Sequence, residues 1–469
     1  MNGQINAAEF TQFRNQVYQN FTKRDDSAME LLDALCSMPN ARSVVELCLS
    51  PHFKHQYQSV YKAIAVAGWE DINLSRLAGP HLSKPEKGYW VFGVDGSPQK
   101  RQFAYTLSDR SYVYYPNPVG SNKPITIGHE YSSVALLPEL DTQMAKSWVV
   151  PLSTNRVSTD EDKELVGAEQ IKTLLDDPEL PWYGELVVEV GDSRYSKPAY
   201  LHAVHQDHSE LITIAKVRSN RTLYHYLPPP EDKPTHRPAF KGKAFKLHDP
   251  ATHTQPDETL VLEIKGQKKS REHTALIEVW EDMVMPGKNK PQRIRMEDYP
   301  FRLVRITCFD KDGHEVYSHP WWLIVVGERR QELSLADIHR CYTSRTRLEH
   351  FFRFGKQKLL LNAFQTAETQ REENWWRIVH LAYLMLWMAQ PLTRHMPRPW
   401  ECHLPEHKRK IISPAIVQRD FSRLISQFGS PAKEPKPRGK SPGRKMGFCL
   451  PPRQRHPVVY KGQKQPETS

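Results

Sequence analysis

Two short runs of mostly apolar residues constrain the fold of this chain most, because an aspartate follows each of them closely. Residues 89–94 precede Asp95 and a turn-favouring Gly-Ser-Pro, and residues 185–190 precede Gly191 and Asp192. Compact apolar runs of this length, bounded by turn residues, are typical of buried strands. The sequence therefore predicts a buried sheet in which two strands each end at a carboxylate.

Further strands and helices place these two runs in a larger order. We predict strands at 111–115, 131–137 and 211–217, a helix at 160–175, and a short helix after Asp192. The resulting order of three strands, helix, strand, helix, strand is that of a ribonuclease-H-like α/β fold. That architecture carries catalytic carboxylates on the first strand, at the end of the fourth strand and on a late helix. Asp95 and Asp192 stand at the first two of these places.

The rest of the chain is interpreted around this core. Strand-like segments at 259–264, 274–280 and 301–307 lie in a stretch rich in Pro, Lys and His, and a strand at 321–326 precedes long helices from Ser334 to about 360 and at 372–389. We predict five regions: a helical N-terminal domain at 1–85, a candidate for recognising DNA ends; the first part of the core at 86–218; a β-rich insertion at 219–320; the end of the core with the catalytic helix at 321–392; and a C-terminal helix with a basic tail at 393–469.

Positive charge is concentrated at the C-terminus. The chain carries a formal net charge of +11, and residues 429–469 contain ten Lys or Arg against two acidic residues. Eight prolines in the same stretch exclude a long helix or a central strand. We interpret the tail as a flexible or extended arm that can lie along a phosphate backbone. The alternative is a solvated tail without a dedicated partner.

Compartment and cofactor class follow from what the sequence lacks. It shows no secretory signal, no run long enough to span a bilayer and no Gly-rich ATP-binding loop. Its six cysteines form neither a disulfide framework nor a zinc ribbon, which fits a reducing compartment. We therefore expect a cytoplasmic protein, associated with the nucleoid when bound to DNA, that uses no nucleotide cofactor and no membrane.

The most specific pattern lies in the helix predicted after Ser334. Tyr342, Arg345, Glu349 and Lys356 are offset by 0, 3, 7 and 14 residues, which on a uniform helix confines them to an arc of about 60°. An apolar stripe directly beside this arc would hold the helix against the sheet. Its members are Leu348, Phe352 and Leu359. The pattern predicts a stripe of one phenol, two cations and one carboxylate at the border of a buried face.

The spacing Tyr-x2-Arg-x3-Glu-x6-Lys resembles the signature of insertion-sequence DDE transposases, which move DNA by cut-and-paste. The resemblance covers about residues 90–390 and plausibly the whole chain. It implies a ribonuclease-H-like core with a β insertion before the glutamate. Asp95, Asp192 and Glu349 would then be the catalytic carboxylates.

Two Asp and one Glu gathered together suit a pair of Mg²⁺ or Mn²⁺ ions, because hard cations prefer oxygen ligands. Such ions activate water or a 3′-hydroxyl and stabilise the leaving oxygen. Asp95 is expected to bridge both ions, with Asp192 and Glu349 each holding one. One site would thus serve both cleavage by water and strand transfer by the freed 3′-hydroxyl.

The resemblance also implies contacts with DNA. Tyr342, Arg345 and Lys356 are expected to hold phosphates, and an aromatic residue, Trp321 or Trp322, to stack against a flipped base. Three residues after the last core strand are further candidates for phosphate contacts: Arg218, Asn220 and Arg221. The expected partners are transposon ends and target DNA, bound by a homodimer that pairs two ends.

Two rival functions stay open at this point. One is a ribonuclease-H-like nuclease that cuts without joining. The other is a DNA-binding protein that does not use the catalytic site, for instance a regulator of transposition. The β insertion and the Tyr-Arg-Glu-Lys spacing favour a transposase over the first, and the three acids favour it over the second.

Overall fold

A computed structural model describes residues 6–116, 123–139, 148–228, 239–264, 273–287, 293–394, 396–404, 412–437, 443 and 445–460. The chain divides into two compact units. The first unit comprises Met1–Lys84, Gly96–Lys163 and Arg347–Ser469; the second comprises Pro85–Asp95 and Glu164–Thr346. The mixed α/β class predicted from the sequence is confirmed.

The first unit combines helices with a small antiparallel sheet. Its helices are α1 (Ala7–Gln19), α2 (Asp25–Ser37), α3 (Tyr57–Val66), α4 (Leu74–Ala78), α8 (Thr346–Lys358, of which Thr346 belongs to the second unit), α9 (Thr369–Arg394) and α10 (Pro414–Phe428). Its strands are the second half of β1 (Trp90–Lys100), β2 (Ser111–Tyr114), β3 (Ile125–Leu136) and β4 (Val150–Val157), with β3 paired to both β2 and β4.

Helix α9 forms the centre of the first unit. The predicted helix at 372–389 is confirmed, and its apolar stretch at 381–388 is buried except for a half-buried Trp387. Trp376 of α9 stacks on Tyr131 of β3, with ring centroids 3.9 Å apart. Aromatic contact of this kind adds to the burial of apolar area that holds the unit together.

The second unit is built on one broad sheet. Its strands are the first half of β1, β5 (Val187–Gly191), β6 (Leu211–Lys216), β7 (Thr222–Tyr226), β8 (Lys241–Lys246), β9 (Glu258–Ile264), β10 (His273–Val284), β11 (Phe301–Phe309) and β12 (Trp321–Val326). Its helices are α5 (Lys163–Leu175, of which Lys163 belongs to the first unit), α6 (Pro198–His205) and α7 (Leu335–Ser344). The strand order is β1-β5-β6-β12-β11-β10-β7-β8, with β9 also paired to β10. Strands β1, β5 and β6 are parallel, and the other pairs are antiparallel.

The strands predicted at 259–264, 274–280 and 301–307 are present as β9, β10 and β11. They continue the sheet that contains β1, β5 and β6, because β12 bridges β6 and β11. The stretch interpreted as an insertion therefore lengthens the sheet of the second unit. The functional domain boundaries remain a prediction.

Several local features differ from the sequence prediction. Helix α1 and strand β4 were not predicted. Strand β1 does not end at Asp95 but continues to Lys100, because its second half pairs with β3, where the Arg101 N–H donates to the Ile127 carbonyl at 2.9 Å. The turn-favouring Gly-Ser-Pro is thus held extended by its neighbouring strand.

The single helix predicted from Ser334 to about 360 is two helices, interrupted at Arg345. Hydroxyl groups compete for the backbone carbonyls there: Ser344 Oγ donates to the Cys341 carbonyl at 2.6 Å, and Thr346 Oγ1 to the Thr343 carbonyl at 3.0 Å. The Arg345 N–H bonds three residues back, to the Tyr342 carbonyl. Such side-chain bonds tighten and bend helices. The prediction of one stripe assumed a single continuous helix and remains untested for its four residues, Tyr342, Arg345, Glu349 and Lys356.

Two parts of the basic tail lie against the first unit. Near its start, Ser430 Oγ donates to Asp33 Oδ2 at 2.8 Å. Farther on, the N–H groups of His456 and Val459 donate to the carbonyls of Tyr105 and Arg110, each at 2.8 Å. The described part around His456 and Val459 is thus fixed by backbone hydrogen bonds next to β2, whereas the part at Ser430 is held through a side chain. Whether the tail lies along a phosphate backbone remains a prediction.

Candidate active site

Asp95 and Asp192 both belong to the second unit and stand on neighbouring parallel strands. The register pairs Trp90 with Val187 and Gly93 with Val190, so continuing it by two residues sets Asp95 opposite Asp192. β5 ends at Gly191, so Asp192 follows its carboxyl end, the end of a parallel strand at which α/β proteins place their ligands. The register therefore sets Asp95, which lies within the longer β1, beside Asp192 at the end of β5.

The turn after β5 fixes the backbone around Asp192. Asp192 Oδ1 accepts a hydrogen bond from the Arg194 N–H at 2.8 Å, and the Asp192 carbonyl accepts one from the Tyr195 N–H at 3.1 Å. This is the local bonding by which aspartate stabilises turns. Gly191 is required beside it, because a Cβ there would lie 2.8 to 2.9 Å from the Cβ, Cγ and Cδ2 atoms of Tyr195.

Glycine is also required directly after Asp95. A Cβ at Gly96 would lie 1.8 Å from Cε and 2.1 Å from Nζ of Lys163. The Lys163 ammonium is held there by Glu130, whose Oε1 lies 2.7 Å away. The Asp-Gly pair in the sequence thus reflects a close approach between β1 and a buried lysine of the first unit.

Arg345, predicted to hold a phosphate, lies close to Asp95. Its Nη1 is 3.4 Å from Asp95 Oδ2, and both side chains are less than one-fifth exposed. At that distance the pair is a weak hydrogen bond at best. The guanidinium partly offsets the charge of Asp95, and its planar fork is of the kind that binds phosphate oxygens.

Aromatic side chains adjoin this arginine. Tyr342 of α7 contacts Trp321 of β12 edge to face, with ring centroids 5.8 Å apart, and Trp321 stacks on His339 at 6.4 Å. Trp321 is half-buried, whereas Trp322 is 3% exposed and belongs to the core. Of the two tryptophans considered for base stacking, Trp321 is therefore the one with accessible surface.

The three candidate phosphate-binding residues after β6 lie at two different places. Arg218 reaches the turn that follows β5, where its Nε lies 3.4 Å from Ser193 Oγ. Asn220 and Arg221 line a cleft of about 500 Å³, together with Lys197 and Met285. Lys197, which was not singled out from the sequence, has its Nζ 2.7 Å from Glu164 Oε1.

Glu349 and Lys356 lie on α8, in the first unit. Glu349 occupies the first turn and is exposed, and the charge of a carboxylate there is favourable to the helix dipole. The three residues of the predicted apolar stripe are buried: Leu348, Phe352 and Leu359. The prediction that Glu349 borders a buried helix face is thus consistent with the burial of its neighbours.

A different set of metal-ligand side chains comes together in the second unit. Ligand atoms of Asp310, Asp312 and His314 lie within 4.8 Å of one another, all on exposed residues. Asp310 Oδ1 accepts the N–H groups of Asp312 and His314, each at 2.9 Å. These bonds explain the cluster as a turn after β11, and it carries no catalytic interpretation.

Glu189 of β5 is a buried carboxylate close to Asp192 in sequence. It accepts hydrogen bonds from the hydroxyls of Tyr200 and Thr213. Burial raises the pKa of Glu189 to about 7, while the two hydrogen bonds oppose that shift. Because a glutamate in the unfolded chain ionises near pH 4.5, the fold loses stability as the pH rises from about 4.5 to about 7.

We therefore expect Glu189→Gln to remove this loss. The free energy of unfolding of the variant should exceed that of the wild type at pH 8, by up to about 3 kcal/mol, and the difference should shrink below pH 5. Urea unfolding at both pH values measures it. Parallel pH profiles for the two proteins would show that folding does not raise the pKa of Glu189.

Within the described part of the chain, no helix is both long and apolar enough to cross a bilayer.

Comparison with known proteins identifies the class of enzyme. The sequence profile of the DDE superfamily endonucleases matches residues 16–278, more than half of the chain. The matched segment includes Asp95 and Asp192 and ends before Glu349. This match confirms the predicted DDE enzyme class, whose members act through divalent metal ions.

Other comparisons are more distant. No curated protein sequence matches the chain. The solved structure of a piggyBac transposase synaptic complex with hairpin DNA is similar over 92% of this chain and 84% of that chain, with 9% sequence identity and a TM-score of 0.41. A similarity this remote supports no inference about individual residues.

Proposed function

We propose that this chain, which belongs to the DDE superfamily of endonucleases, is a DNA transposase that cuts the ends of its element and joins them to target DNA. The observation that carries the proposal is the pair Asp95 and Asp192, which the parallel register of β1 and β5 sets opposite each other, inside the segment matched by the family. We assign Glu349 as the third catalytic carboxylate because of its spacing from Tyr342 and Arg345 in the sequence. The core is of the ribonuclease-H-like kind.

The three carboxylates would hold two Mg²⁺ or Mn²⁺ ions. The donor set fits hard cations, because carboxylate oxygens are their preferred ligands. When bound, the ions activate the attacking hydroxyl and stabilise the leaving oxygen in an in-line displacement. Asp95 would contribute oxygens to both ions, and Asp192 and Glu349 would each hold one.

The surrounding cations position the DNA. Arg345 and Arg218, which lie next to Asp95 and to the Asp192 turn respectively, would hold phosphates on either side of the reacting one. Asn220 and Arg221 would hold a phosphate at the cleft beside α6. Tyr342 and Lys356 would also contact phosphates, and Trp321 would offer a ring face to an unpaired base.

The basic tail would add affinity that is independent of sequence. Three exposed lysines of its described part are suited to a test: Lys433, Lys436 and Lys445. We expect their joint replacement by Gln to weaken DNA binding and to lower the slope of log Kd against log salt by up to about 2.7, or roughly 0.9 per lost phosphate contact. Fluorescence anisotropy across a salt series measures both quantities.

The control for this prediction removes the same charge elsewhere. It replaces three lysines of the second unit with Gln: Lys172, Lys243 and Lys311. An equal change of slope in both triple variants would mean that the tail acts only through net charge.

The function itself is tested with labelled linear DNA that carries the inverted repeats flanking the gene, together with a target plasmid and Mg²⁺. A transposase gives double-strand cleavage at the repeat and labelled DNA joined to the plasmid. Cleavage without joining would identify a nuclease. Binding without metal-dependent cleavage would identify a non-catalytic regulator. Sizing the complex on two repeats tests the expected homodimer.

A further inference from the structure

Tyr195 is a fully buried residue at the base of the candidate active site. Its ring lies against Gly191, where an added Cβ would approach it to 2.8 Å, and meets the ring of Tyr200 edge to face at 5.0 Å. Its side chain has no solvent exposure. The turn that places Asp192 also places Tyr195, because the Tyr195 N–H donates to the Asp192 carbonyl.

The hydroxyl of Tyr195 has no hydrogen-bond partner within the described chain. Buried hydroxyls are almost always paired, since an unpaired one loses its bonds to water without replacement. An orphaned group of this kind at a functional site indicates a partner that is acquired in another state of the protein.

The surroundings of this hydroxyl indicate which partner that is. The Tyr195 backbone N–H bonds the Asp192 carbonyl at 3.1 Å, and the register of β1 and β5 sets Asp95 opposite Asp192. A neutral phenol can donate its proton in a hydrogen bond to an anion. Both nearby aspartates are carboxylates of the proposed metal site.

We propose that Tyr195 is a positioning residue whose hydroxyl donates a hydrogen bond to one of the two carboxylates of the site, Asp95 or Asp192, when divalent cations are bound. This inference rests on the proposed function, because it assigns the cations to Asp95 and Asp192. A donor behind a ligating carboxylate fixes which lone pair faces the cation, and the loss of such an outer partner typically costs about 10- to 100-fold in metal affinity or activity.

Tyr200 provides the contrast that makes the inference specific. It is equally buried and stands in the same region of the second unit, but its hydroxyl is already committed to Glu189. Removing the Tyr200 hydroxyl breaks a bond that the fold contains. Removing the Tyr195 hydroxyl breaks none.

The test compares Tyr195→Phe with Tyr200→Phe, which retain both rings. Tyr195→Phe should unfold at the same urea concentration as the wild type, or a higher one, without metal. Its Mg²⁺ requirement, measured by the rise in melting temperature during Mg²⁺ titration and by the half-saturating Mg²⁺ concentration for cleavage, should increase by about tenfold or more. Tyr200→Phe should lose stability and keep the Mg²⁺ requirement of the wild type.

The outcomes separate this inference from the proposed function. An unchanged Mg²⁺ requirement in Tyr195→Phe, with a wild type that binds Mg²⁺ and cleaves, overturns the role of Tyr195 alone. A marked loss of stability without metal overturns it too, because the hydroxyl would then have a partner within the fold. A wild type that neither binds Mg²⁺ nor cleaves would instead contradict the proposed function.

Discussion

Replacing Asp95, Asp192 or Glu349 with Ala should abolish DNA cleavage while leaving binding to the element ends nearly intact. Each variant loses a proposed ligand of the metal ions, whose stabilisation of the reacting oxygens amounts to several kcal/mol. A loss of roughly 4 kcal/mol corresponds to about a thousand-fold in rate. Single-turnover cleavage with labelled DNA measures the rate, and gel shift measures binding.

The matched control is Asp207→Ala, an exposed aspartate between α6 and β6. It should cleave at the wild-type rate. Wild-type cleavage by any of the three site variants would remove that residue from the proposed site. The test is sharpest for Glu349, which lies outside the segment matched by the family.

Glu372→Gln should give the largest loss of stability. Glu372 of α9 is fully buried and accepts hydrogen bonds from Arg101, His129 and Tyr131. Burial raises the pKa of Glu372, but the His129 hydrogen bond and the charge of Arg101 outweigh it, and the pKa is lowered overall. Gln would leave Arg101 buried without its counter-charge, which typically costs about 3–5 kcal/mol.

Urea unfolding checks this prediction against a neighbouring glutamate. Glu373 pairs with Arg156 at 2.8 Å, but its side chain is 21% exposed and Arg156 also binds Asp109. Glu373→Gln should therefore cost much less. The double variant Arg101→Met with Glu372→Gln should recover part of the loss, since no charge is then stranded. Equal costs for the two single variants would contradict the assigned role of burial.

Much of the α/β pattern could be predicted because hydrophobic periodicity follows from local sequence. The apolar runs that became β1, β5 and β6 are buried by neighbours on both sides, so their composition alone identifies them. The charged and polar residues of β4 gave no such signal. Its strand conformation depends on pairing with β3, a contact distant in sequence.

The candidate site was predictable to a similar degree. Asp95 and Asp192 were predicted from strand order, and the parallel register of β1 and β5 sets them opposite each other. The interruption at Arg345 was not predicted, since it arises from hydroxyl bonds to nearby carbonyls within an otherwise helical pattern. Tyr195 was also missed, because its burial and unpaired hydroxyl result from tertiary packing on Gly191.

The central claim is that one metal site cuts DNA and then uses the freed 3′-hydroxyl to join it. The most direct measurement supplies an already cut element end with a target plasmid and Mg²⁺, and compares a 3′-hydroxyl terminus with a dideoxy terminus. We predict joined product from the hydroxyl end alone, and none from either end with Asp192→Ala. Joining of the dideoxy end, or undiminished joining by Asp192→Ala, would contradict the account.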